Sequence, residues 1–182
     1  MTTLIQHQSA SSNWYTPIPI IEMARTVLGT IDLDPASDAF GNLRVKASAH
    51  FNHDGLIRIW SGAVFLNPPG GKVGRLSQMK LFWEKLIEAR FAGLLEHAVF
   101  VAFSLEALQS TQSPYADCSS SLCDFPFCIP SQRIRFDGPD GKPGAAPSHA
   151  NAIAYVPGNI DRRDLFAKTF APLGACINIY PD

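Results

Sequence analysis

Asn67-Pro68-Pro69-Gly70 follows directly on the apolar run Ala63-Val64-Phe65-Leu66, which sets an amide side chain and a rigid pair of carbonyls at the exit of an expected strand. Consecutive prolines fix φ and lack N–H donors. The turn therefore cannot be absorbed into a helix or a central strand, and the Asn67 and Pro68 carbonyls can be held outward. An exocyclic amine carries two hydrogens, and this turn carries two acceptors. With both N–H bonds held, the nitrogen lone pair rotates out of conjugation with its ring and can attack an electrophile on the other side. That chemistry makes Asn67, Pro68 and Pro69 the candidate catalytic residues, while the electrophile itself is not written in them.

A second constellation is Asp34-Pro35-Ala36-Ser37, placed after an expected strand at Thr30 to Leu33. In open α/β sheets ligands bind beyond the carboxyl ends of strands, and a carboxylate there can accept hydrogen bonds from a ribose diol or an ammonium group. The same Asp34 can also simply open a turn or cap the next helix. Trp14-Tyr15-Thr16-Pro17 suits a helix start, with Thr16 as N-cap and Pro17 at the first helical position; such a helix start is also an anion site. Asp54 precedes Gly55 as a turn residue would. The chain contains no Gly-x-Gly-x-x-Gly, which argues against a nucleotide dehydrogenase, and Gly70-Gly71-Lys72 lacks the rest of a P-loop.

Taken in order, Trp14-Tyr15-Thr16-Pro17, Ile31-Asp32-Leu33-Asp34-Pro35-Ala36-Ser37, Asp54-Gly55-Leu56 with Trp60, Val64-Phe65-Leu66-Asn67-Pro68-Pro69 and Arg133-Ile134-Arg135-Phe136 span about residue 13 to about residue 157. In this order the segments resemble the small phage and prophage DNA adenine methyltransferases, which use S-adenosylmethionine. The resemblance implies a minimal Rossmann-like class I methyltransferase fold. It also implies cofactor contacts from Trp14, from Thr16 and Pro17 at the methionine end, from Asp34, Pro35, Ala36 and Ser37 in the cofactor turn, and from Asp54 at the adenine ring. The chain departs from the family at Gly70, where Tyr, Phe or Trp normally stacks on the target base. Base stacking of about 1–3 kcal/mol is lost there, and Phe127, on a loop before an expected strand, is the candidate substitute. The acceptor stays open between adenine in DNA and another amine: cytosine, RNA, a nucleotide or a protein glutamine. A degenerate fold that only binds a partner is the other alternative.

Length and composition agree with one domain. With 182 residues and 46% hydrophobic content, the chain suits a single α/β domain over residues 13–182, preceded by a polar arm at 1–12. No apolar run approaches 18 residues and the N-terminus has no signal-like pattern, so a cytoplasmic protein with no membrane partner is expected; phage or prophage origin is what the resemblance implies. Cys118, Cys123, Cys128 and Cys176 form no paired Cys-x-x-Cys units; no metal is expected, and the chemistry demands none. Fifteen Lys and Arg against sixteen Asp and Glu give a net charge of −1, so DNA binding would rest on a local basic face. Arg133 and Arg135 are the substrate-side candidates, with Lys142, Arg162 and Arg163 nearby in sequence.

The elements that must position these residues follow from periodicity. A helix is expected from Pro17 to a stop at Gly29, strands at Thr30–Leu33, Ala49–Phe51, Ala63–Leu66 and Ala98–Phe103, and a long helix from about Leu76 to Leu95. The segment 38–49 reads as a short helix or a loop, and Leu105 to Ser110 as a short helix. Further strands are expected at Ile134–Phe136, Ala152–Val156 and Cys176–Tyr180, with loops at 117–121 and 138–144 and a helix at Asp161–Phe170. Alternating strands and helices predict a doubly wound, mostly parallel sheet. Oligomeric state is not readable from these patterns.

Overall fold

The computed structural model describes residues 14–112, 120–144 and 149–180. The expected arm at 1–12 and most of the expected loop at 117–121 lie outside the described residues. The first helix, α1 (Ile18–Leu28), is flanked by Pro17 and stops at Gly29, whose φ of 79° is the left-handed conformation that glycine adopts without cost. Thr16 does not cap it, because no side chain bonds the first turn and the residue at the N-cap is Pro17. A two-residue strand, β1 (Leu33–Asp34), comes next and includes Asp34 itself. The ambiguous segment that follows holds α2 (Ala39–Val45), started by Asp38, whose carboxylate accepts the Gly41 N–H at 2.7 Å.

The strands β2 (Ala49–His50) and β3 (Gly62–Leu66) both pair in parallel with β1. An unforeseen hairpin, β4 (Lys72–Val73) and β5 (Leu76–Ser77), intervenes before α3 (Gln78–Phe91). Then come β6 (Leu95–Ala102), α4 (Glu106–Ser110), β7 (Phe127–Pro130), β8 (Ala152–Pro157), α5 (Arg163–Phe170) and β9 (Gly174–Ile177). The main sheet has seven strands in the order β2-β1-β3-β6-β8-β7-β9. Strands β2, β1, β3 and β6 are parallel; β8 runs against both β6 and β7, and β9 against β7. Five strands thus share one direction and two oppose it, a mostly parallel α/β sheet compatible with a Rossmann-like fold.

Side-chain alternation explains why the central strands read as unbroken apolar runs. Along β3, Val64 and Leu66 face α3 and pack with Trp83, Leu86 and Phe100, whereas Ala63 and Phe65 face the other layer with Ile21, Ala24 and the α5 rings Phe166 and Phe170. Both faces are covered, so neither can carry polar side chains. One buried polar residue does join the layers: His97 Nε2 lies 3.1 Å from the Leu28 carbonyl and Nδ1 3.2 Å from the Tyr155 hydroxyl. Burial pushes its pKa down, and the Leu28 carbonyl requires a proton on Nε2.

The expected strand at Ile134–Phe136 does not form. Its place beside β8 is taken by β7, and the segment satisfies its backbone by other means: Asn151 Oδ1 accepts the Ile134 N–H at 2.7 Å, and Gly144 N–H donates to the Phe136 carbonyl at 2.9 Å. The Asn151 side chain also donates to the Phe103 carbonyl at 2.8 Å, so one buried amide fastens this segment to the exit of β6. Asn151→Ala would strip partners from buried backbone groups, at about 1–3 kcal/mol for each. Urea unfolding should therefore report a loss of about 2 kcal/mol or more, whereas a loss below about 0.5 kcal/mol, the size of an ordinary surface change, would show that Asn151 does not fasten the segment.

Candidate functional site

Because β1 and β3 are adjacent and parallel, with Leu33 opposite Val64, their carboxyl ends open side by side and deliver Asp34 and Asn67 to one place. A cavity of about 750 Å³ lies there, within the usual range of about 300–1,000 Å³ for small-molecule sites. Its walls include Trp14, Thr16, Asp34, Pro35, Ala36, Ser37, Asp54, Asn67, Pro68, Pro69 and Gly70. Pro17 does not line it. Arg133 and Arg135 do not either, but the residues alternating with them, Ile134 and Phe136, do, which sets the two exposed arginines beside the cavity's edge.

Phe127 belongs elsewhere. It lies on β7 within the buried cluster under α3, so its ring is part of the core and not a stacking platform. Phe125 is also core, edge-on to Trp83 at 5.6 Å. The reading of Phe127 as a loop residue failed because Phe127 opens a strand that pairs with both β8 and β9. Arg162 and Arg163 are likewise engaged inside the fold: Arg162 donates to the Val27 carbonyl at the end of α1, and Arg163 pairs with Asp161.

The Asn67 side chain is oriented. Its Nδ2 donates to the Trp14 carbonyl at 3.0 Å; a carbonyl accepts only a donor, so the amide cannot be turned over, and Oδ1 remains an acceptor. No described backbone N–H donates to the Pro68 carbonyl. The segment that holds Asn67 is itself held. Tyr15 and Asp137 exchange both backbone hydrogen bonds at 2.9 Å, the Tyr15 hydroxyl donates to Asp38 at 2.7 Å, and Arg44 bridges the Asp137 carboxylate and the Thr16 carbonyl. The pairing of Tyr15, Asp38, Arg44 and Asp137 was not readable from the sequence, because it crosses 93 residues between Arg44 and Asp137 and more between Tyr15 and Asp137.

Two polar groups in the wall are buried without a full complement of partners. The Thr16 hydroxyl, on a residue 3% exposed, has no hydrogen-bond partner among the described residues. Asp34 is 3% exposed, accepts only a long 3.3 Å bond from Ala36 N–H besides help from Ser37, and is pushed up to about 7 by burial, with Asp38 adding to the rise. A buried polar group short of partners is destabilising, so both mark a place shaped for something other than the chain's own stability. Asp54 also lines the cavity, in the left-handed conformation, φ 60°, with its carboxylate 2.9 Å from His53 Nδ1. Gly55 beside it is obligatory in packing: a Cβ there would fall 2.2 Å from the Pro35 carbonyl oxygen, so the two acidic turns are pressed together.

Among the described residues no group of three or more His, Cys, Asp or Glu is arranged to hold a metal, and no helix is long and apolar enough to cross a membrane. No protein-family model matches the sequence, and no curated protein matches it either.

Asp34 has its folded-state pKa raised from 3.8 to about 7. The unfolded chain ionises near 4, so between about 4 and 7 the folded state binds the extra proton, and each step up in pH through that window costs stability. Asp34→Asn has no such dependence at this position. Unfolding free energies at pH 5 and pH 8 should therefore shift in favour of Asn at the higher pH; a gap that stays constant would show that Asp34 does not titrate in this window.

Proposed function

We propose that this protein transfers a methyl group from S-adenosylmethionine to an exocyclic amine, that of adenine in DNA. The observation that carries the reading is that Asn67-Pro68-Pro69 and the Asp34 turn share one cavity, with Asn67 turned so that its Oδ1 is left to accept. The buried Thr16 hydroxyl and Asp34 carboxyl fit the cofactor's polar groups, because the first meets no partner among the described residues and the second has only Ala36 and Ser37. The sheet order is compatible with a minimal class I methyltransferase fold, which agrees with the resemblance to the small phage and prophage enzymes.

When bound, the cofactor supplies an electrophilic methyl group on a sulfonium sulfur. Asp34, ionised, would accept from the ribose hydroxyls; Thr16 would bond the methionine portion; Asp54 would face the adenine. The Asn67 Oδ1 and Pro68 carbonyl would accept the two N–H bonds of the target amine, freeing its lone pair for in-line attack while the departing proton passes through these acceptors to solvent. No general base is required, since the amine loses its proton during or after transfer. A Cβ at Gly70 would meet no heavy atom within 4 Å. The stacking position is thus open space, and this favours a second reading in which the same chemistry serves another amine.

Incubation with labelled cofactor and DNA, followed by nucleoside analysis, should yield N6-methyladenine. Cofactor binding without any methylated adenine would overturn the DNA-adenine reading and leave the acceptor panel of cytosine, RNA, nucleotide and glutamine to identify another amine or none. Asn67→Ala should keep cofactor affinity within a few-fold and lose turnover by about 100-fold or more, as for a lost transition-state hydrogen bond. Unchanged turnover in that variant removes the role assigned to Asn67.

A further inference from the structure

The β4–β5 hairpin stands at the rim of the cavity with nothing inside the protein to explain its chemistry. It grows directly out of the catalytic turn: Gly70 lines the cavity, Gly71 turns at φ 89°, and Gln78 clamps the base by donating its side-chain N–H to the Gly70 carbonyl at 2.8 Å and its backbone N–H to the Gly71 carbonyl at 3.0 Å. A two-stranded hairpin is marginal alone; this clamp and the start of α3 are what hold it. Every residue from 70 to 76 is exposed.

Its composition is the informative part. Val73 and Leu76 are direct cross-strand partners, so their side chains share one face, and they are 57% and 50% exposed. Between them Gly74, at φ 60°, and Arg75 make the tip. Lys72 and Arg75 pair with no described carboxylate. An apolar pair flanked by two unpaired cations, beside a pocket for a flipped base, matches the wedge that unstacks a duplex while its cations rest on phosphates. In a chain of net charge −1, two uncompensated cations at this one point also give the local positive potential that the overall charge lacks.

We propose that the β4–β5 hairpin is the duplex-opening wedge of this protein: Val73 and Leu76 enter double-stranded DNA beside the target base while Lys72 and Arg75 contact its backbone. The inference rests on the methyltransferase reading above and deepens it, because a wedge at this position supplies from the duplex side the stabilisation of an extruded base that Gly70 does not supply from the pocket side.

The test compares methyl transfer to native plasmid DNA and to the same DNA heat-denatured, which needs no knowledge of a target sequence. Val73→Ser should lower the native-to-denatured rate ratio by about tenfold, the scale of part of one unstacking step. Lys72→Ala/Arg75→Ala should reduce the slope of log affinity against log salt by about two. All variants should keep wild-type melting temperature and cofactor affinity, since the hairpin is exposed. A rate ratio that falls by less than about threefold, or an unchanged salt slope, overturns the wedge while leaving the enzyme intact. A wild-type protein that methylates neither DNA form overturns the function itself. Tighter binding of a structured RNA than of either DNA form overturns the choice of partner.

Discussion

The site depends on one pairing, that of β1 with β3 in parallel. Parallel neighbours end at the same edge of the sheet, so whatever follows Leu33 and whatever follows Leu66 must emerge together. An acidic turn leaves one strand and an amide-proline turn leaves the other, and the cavity is the space between them. Had the same two strands paired antiparallel, Asp34 and Asn67 would lie at opposite edges and no shared site would exist.

Around that pairing the chain places a frame of polar links with little role in the core. The segment 14–16 is bound to Asp137, Asp38 and Arg44 from three directions, and through the Trp14 carbonyl it sets the orientation of Asn67. Asn151 fastens the segment carrying Ile134 and Phe136 to the exit of β6. Rigid support of this kind is what a site needs if hydrogen bonds are to act on a transition state, because the cost of ordering the groups is met during folding. The Thr16 hydroxyl, unpartnered among the described residues, and Asp34, whose pKa burial raises, are the local exceptions, and both line the cavity.

Much of the architecture was legible in the residues. Continuous apolar runs such as Ala63–Leu66 and Ala98–Phe103 read as strands buried on both faces, and both are central in the sheet. Gly29 read as a helix stop, and it is one. Ile134–Phe136 misled because its alternation of apolar and charged residues has the period of a strand, while its backbone is satisfied by a side chain from residue 151 and a glycine from residue 144. The β4–β5 hairpin was missed because two strands of two residues have no period to detect.

The sequence alone determined the chemical equipment: an amide and rigid carbonyls at Asn67-Pro68-Pro69, a carboxylate at Asp34, and a glycine with no side chain at position 70. These are local facts, since proline stiffness, strand period and turn residues act within a few positions. Only the tertiary structure decided which groups meet, which way the Asn67 amide faces, that Phe127 is core, and that Arg162 and Arg163 serve the fold while Lys72 and Arg75 pair with no described carboxylate. The physical reason is range: hydrogen bonds and burial join residues separated by tens of positions, and nothing in a linear spacing records which distant partner will be there.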